Sequence, residues 1–131
     1  MLQKEDRAKK VSFEPHTLAR FYERGIKQKL FPHCQKNFEI FNECVTALRD
    51  ENKSVIIQDK RNDSDSTHIC IFINDAGNPV AVPIAVNTHN IHIFTLKDVK
   101  EDWVNPNWYV DEYNKIAKIR GMPLIPKIVK I

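Results

Sequence analysis

The spacing of apolar residues changes period part-way along the chain. Leu18, Phe21 and Tyr22 fall at i, i+3 and i+4, the spacing of one helical face. Pro15 suits the first turn of such a helix, where its missing N–H is not needed. Gly25 marks the expected end, because glycine readily takes the left-handed conformation that closes many helices. The first helix is therefore predicted over residues 15–24. Pro32 then biases Phe31 away from helical geometry, and the segment between is read as a connection. Phe38, Phe41, Val45 and Leu48, with Cys44 beside them, predict a second helix over 37–49.

After DENKS the pattern shortens to that of strands. β-branched runs predict strands over 54–58, 67–73, 80–86 and 91–96, separated by the turn-rich stretches KRNDSDS, NDAGNP and NTHN. Pro83 cannot donate a ladder hydrogen bond, so it argues for an edge position or a bulge. In the last strand Ile91 and Ile93 share one side and His92 shares the other with Phe94. Connections this short favour an antiparallel sheet, with both preceding helices covering one face. A third helix is predicted over 109–120. The expected fold class is α+β: N-terminal helices packed on a four-stranded antiparallel sheet, with a C-terminal helix. The 131 residues fit a single domain, 1–131, with 1–10 as a flexible basic arm and 121–131 as an extended tail carrying Pro123 and Pro126.

Composition narrows the class without fixing it. With 42% hydrophobic and 28% charged residues, the chain reads as an ordinary globular protein. There is no apolar run long enough for a membrane span and no apolar segment after the basic start, so a cytoplasmic location and no membrane partner are expected. Cys34, Cys44 and Cys70 are odd in number and widely spaced, which suits reduced core thiols. The net charge of +3 is unevenly spread: residues 1–36 hold nine Lys or Arg against four acids, and the remainder eleven against thirteen. Such a gradient steers a polyanion towards the N-terminal third.

The candidate chemistry lies on the first helix. His16, Arg20 and Arg24 recur every four residues and make one polar row beside the apolar stripe. Arginine offers a fixed fork of donors for phosphate oxygens, and histidine exchanges a proton near neutral pH. Cleavage of RNA by its 2′-hydroxyl needs a base, an acid and positive charge. The spacing alone more readily describes a solvated helix face. His68 and His92, on strands two and four, are candidates for the second proton-transfer group, and His89 suits a solvated turn.

Other chemistries have less support. His33, Cys34 and Cys44 lack a CxxC pair, and adjacent His33 and Cys34 are not a usual chelating step, so no metal and no cofactor are expected. Asp63 and Asp65 read as turn formers, and NDAGNP lacks the glycine spacing and lysine of a phosphate loop. Trp103, Trp108, Tyr109 and Tyr113 either stack bases or pack a core or a partner, and the second reading is preferred because no RNP-like strand motif accompanies them.

PHTLARFYERGI resembles the opening signature of RelE-like small toxin ribonucleases, whose fold belongs with barnase-like and colicin-like nucleases. The resemblance follows the order of elements over residues 11 to 96, with motif matches at His16, Arg20, Arg24 and Gly25 and with IHIFTLKD similar to the terminal strand. Thr17 stands where the group often has alanine. The resemblance implies a small metal-independent endoribonuclease, RNA or another polyanion as partner, and an antitoxin or immunity protein as a second partner. The alternative is a non-enzymatic regulatory domain of viral, plasmid or defence origin that binds nucleic acid or protein.

Overall fold

The computed structural model describes residues 2, 4–61, 64–101 and 107–126. A short 3-10 helix, Lys4–Ala8, precedes strand β1, Lys10–Phe13. Helix α1, Pro15–Arg20, runs on as a π-helical stretch, Phe21–Lys27, and helix α2 spans Asn37–Arg49. Strands β2 (Ser54–Gln58), β3 (His68–Ile73), β4 (Pro79–Val86), β5 (Asn90–Ile93) and β6 (Lys97–Asp98) follow. Helix α3 is Asn107–Arg120.

The fold is α+β with a mixed sheet ordered β1-β5-β4-β3-β2, to which β6 adds along β4. The predicted antiparallel strands are present, but the sheet has two more. β1 pairs parallel with β5, joining Val11 to Ile91 and Phe13 to Ile93 in register. The reading of residues 1–10 as a basic arm gives way here. Arg7 is buried, donating to Leu48 O and Ser54 Oγ at 2.9 Å each and to Ser54 O at 3.2 Å. Its guanidinium thus satisfies a carbonyl that the end of α2 leaves without a helical donor.

The two faces of the sheet carry separate cores. Cys70, Phe72, Val80, Val82, Ile84, Ile91 and Ile93 face α1 and α2, while Val55, Ile57, Ile69 and Ile71 face Tyr109, Val110, Tyr113 and Ala117 of α3. Helices therefore cover both faces, the C-terminal one opposite the other two. Tyr109 and Tyr113 are buried, which leaves them core residues; Trp108 is half-buried against the same core, and Trp103 lies outside the described residues. Residues 122–126 carry no regular structure. They nevertheless dock: Asn114 binds Ile125 through both backbone groups at 2.8 Å, and Tyr113 OH donates to Pro123 O at 2.9 Å.

The helical stripes are rotated from their predicted settings. In α2 the buried residues are Ile40, Cys44, Ala47 and Leu48, whereas Phe38 is 58% exposed. Small Cys44 and Ala47 let the helix approach the sheet closely, and the bulkier Phe41 sits at the rim with its ring 5.0 Å from Phe13. In the first helix the buried line is Thr17, Phe21 and Gly25, with Tyr22 exposed. Gly25 does not end the helix. A Cβ there meets Ile40 Cδ1 at 2.5 Å, so glycine answers to close packing, and the positive φ falls instead on Lys29 at 62°.

Pro83 sits in a central strand, at a bulge. β4 pairs with β5 through Ile84–Ile93 and with β6 through Ala81–Lys97, a slip of one residue between the two ladders. Pro83 O accepts from Phe94 N at 3.1 Å, so its missing N–H points at the bulged segment 94–96, where the ladder is interrupted.

Candidate functional site

Alternation along β1 decides which side chains reach the site. Val11 and Phe13 turn to the α1–α2 core, so Lys10, Ser12 and, by continuation, Glu14 belong to the other face. His92 is paired with Ser12 on that face, at the β1–β5 edge, whereas α3 packs over β2 at the opposite edge. The geometry there is a chain of polar contacts. Asn90 Nδ2 donates to Ser12 Oγ at 2.7 Å, and Ser12 Oγ meets His92 Nδ1 at 3.0 Å. Glu14 Oε1 lies 3.5 Å from His92 Nε2, and its Oε2 lies 3.0 Å from His16 Nδ1. One carboxylate thus stands between the helix histidine and a strand histidine.

Thr17 fixes this corner. Its buried hydroxyl accepts from Glu14 N at 3.3 Å and faces the carbonyls of Ile93 at 3.2 Å and Phe94 at 3.0 Å. The start of α1 is thereby fastened to the end of β5. His92 also meets Phe94 edge-on, with ring centroids 4.9 Å apart. Phe94, Thr95 and Lys97 then line a groove of about 240 Å³ with Arg61, Ser64, Asp65 and Ser66.

The row His16, Arg20, Arg24 precedes the buried line 17, 21, 25 by one residue at each step, which sets it at the margin of the helix. Its three members have different surroundings. His16 is exposed and touches Glu14; Arg20 is exposed and pairs with Glu23 at 3.1 Å. Arg24 is half-buried and donates to Thr95 Oγ1 at 3.1 Å and Leu96 O at 2.9 Å, tying the π-helical stretch to the bulge.

His68 does not join this group. It pairs with Ile84, which faces α1 and α2, while His92 pairs with Ala85 on the opposite face. Burial holds the His68 imidazole below its ordinary pKa, against the opposing pull of Asp6 and Asp59. His89 is exposed in its turn. All three cysteines are free and buried, and burial pushes Cys34 and Cys70 up to about 11 and Cys44 well above its usual range, so none is a ready nucleophile.

Comparison with family models, with curated proteins and with solved structures finds no match. The residues themselves carry the functional argument.

Glu14 and Ser12 were not among the residues singled out from the sequence. The signal was KVSFE, an alternating run whose apolar members Val11 and Phe13 are separated by Ser12 and followed by Glu14. No helix among the described residues is long and apolar enough to cross a membrane.

Proposed function

We propose that this protein is a small endoribonuclease that cleaves RNA by attack of the 2′-hydroxyl on the adjacent phosphate, with no metal in the step. The single observation that carries the reading is the Glu14 carboxylate in contact with both His16 and His92. One imidazole takes the 2′-hydroxyl proton and the other returns a proton to the departing 5′-oxygen, leaving a 2′,3′-cyclic phosphate. Glu14 places one carboxylate beside both rings, 3.0 Å from His16 Nδ1 and 3.5 Å from His92 Nε2. Arg20 supplies positive charge: its pair with Glu23 is a surface contact worth about 0–1 kcal/mol, readily exchanged for a phosphate. Arg24 acts as a positioning residue for the strand that carries His92, and His68 has no part in the reaction. The adjoining groove with Phe94, Lys97 and Arg61 suits a neighbouring nucleotide.

The second reading is a non-enzymatic domain that binds a polyanion or a protein partner such as an antitoxin or immunity protein. One observation favours it: Phe13 and Phe38, 40% and 58% exposed, leave aromatic surface next to the basic helix. The test is incubation of the purified protein with RNA in the presence of a chelator. Cleavage with cyclic phosphate ends is expected, reduced about 10²- to 10⁴-fold in His16→Ala and in His92→Gln. Intact RNA with salt-sensitive binding selects the second reading.

A further inference from the structure

We propose that His33, Cys34 and Glu43 form a binding site for a zinc-type divalent cation. One donor atom from each side chain lies within 4.8 Å of the others, in a cluster made by the segment after the π-helical stretch and by α2. The sequence offers Cys44 as the companion of His33 and Cys34. In the fold Cys44 faces the core, and Glu43, one residue earlier, turns to the cluster.

The supporting frame is built before any ion arrives. Leu30 N and Phe31 N donate to Arg24 O and Gly25 O at 3.2 and 2.9 Å, and Cys34 N donates to Phe31 O at 3.0 Å. Asn74 and Asn78, from the β3–β4 turn, both donate to Leu30 O, at 2.8 and 2.9 Å. Glu43 Oε2 accepts Asp75 N–H at 3.0 Å, while Oε1 meets His33 Nε2 at 2.5 Å. The carboxylate is thus oriented by backbone, as outer contacts orient metal ligands.

Donor chemistry selects the class of ion. Imidazole, thiolate and carboxylate together suit Zn²⁺ or Co²⁺, whereas Mg²⁺ and Ca²⁺ favour oxygen alone. The carboxylates of the adjoining cavity, about 340 Å³, are Glu39, Glu43 and Asp75 against one Lys53, a balance that attracts a cation. The His33–Glu43 contact is explained as an ion pair without a metal; convergence of the Cys34 sulfur on it is not. A bound dication displaces the thiol proton outright, and the cavity leaves room for water as a further ligand.

The site lies by the turn that begins at the Ile73–Pro79 end of β3 and β4, and His92 pairs with Ala85 of β4, about 20 Å away along the strand. The inference therefore stands apart from the ribonuclease reading.

The test is titration of the chelator-treated full chain with Co²⁺. One ion per chain is expected, with a thiolate-to-cobalt charge-transfer band that Zn²⁺ abolishes by displacement. Cys34→Ser should lose the band, and His33→Ala and Glu43→Gln should each weaken binding about tenfold or more. The wild-type spectrum alone is decisive if a variant misfolds: absence of the band at millimolar Co²⁺ overturns the proposal. A band that survives in folded Cys34→Ser, or affinity unchanged in both folded His33→Ala and Glu43→Gln, overturns it equally.

Discussion

Thr17 replaces its hydroxyl's water contacts with three backbone partners, Glu14 N, Ile93 O and Phe94 O. Thr17→Val keeps the shape and removes the oxygen, leaving Glu14 N–H without its acceptor. The expected loss is about 1–3 kcal/mol, read from denaturant midpoints. Cleavage should fall with it, since the same contacts hold Glu14 between the two histidines. Glu14→Gln keeps the size of the side chain and removes its charge. On the proposed ribonuclease reading, its expected effect is slower cleavage of the same RNA in the presence of chelator, with the denaturant midpoint unchanged. At this scale the sequence pointed to His16 and to His92, because both sit in elements with a recognisable period. It did not point to Glu14, because KVSFE carries two apolar residues and follows Lys4, Arg7 and Lys9, which read as solvated.

At the scale of elements, the first helix shows where periodicity stops being sufficient. It runs past residue 24 in π-helical winding, with Gly25 inside it, where the bare Cα admits the Ile40 side chain. Gly25→Ala gains intrinsic helix propensity of about 0.5–1 kcal/mol but drives a methyl into a fully buried neighbour, at a cost of about 1–3 kcal/mol. The net expectation is a lower melting temperature, and Ile40→Val in the same chain should restore part of it. Arg7→Met tests the N-terminal 3-10 helix in the same way. Removing its charged hydrogen bonds at the end of α2 should cost about 1.5–3 kcal/mol in equilibrium unfolding. The bounds of α2 and β2 were legible, since a clear period and flanking polar turns define each, although the buried face of α2 was not. The parallel β1 was not, because a four-residue strand becomes a strand only through a partner eighty residues away.

The whole molecule responds to pH through groups on its loops and sheet ends. Asp59 is opposed by burial, yet hydrogen bonds from Arg61 and Ser66 and the Arg61 charge outweigh that and hold its carboxyl down at about 2. A folded value below the unfolded one means that the stabilisation is present above the usual 3.8 and is lost as pH falls towards about 2. His68 has the same sign. Its lowered value means that the unfolded chain takes up the proton first, so stability declines as pH drops below the ordinary 6.5. Thermal melts from pH 8 down should show the upper decline removed in His68→Gln and the lower one reduced in Asp59→Asn. The division into helices and sheet was legible from the sequence, as was the first pair of helices on one face. The side taken by α3 was not, since apolar residues of β2 and β3 point both ways and pattern alone does not assign the covers.

The pairing of β1 with β5 joins positions far apart in the chain: Ser12 and His92 are 80 residues apart. Contacts of such long separation close late, after local helices and hairpins have formed. During synthesis the first helix leaves the ribosome long before residue 92 does, with its basic row already made but its strand partner still missing. On the proposed reading, the cutting edge is assembled only once residue 92 has been made and has paired with β1.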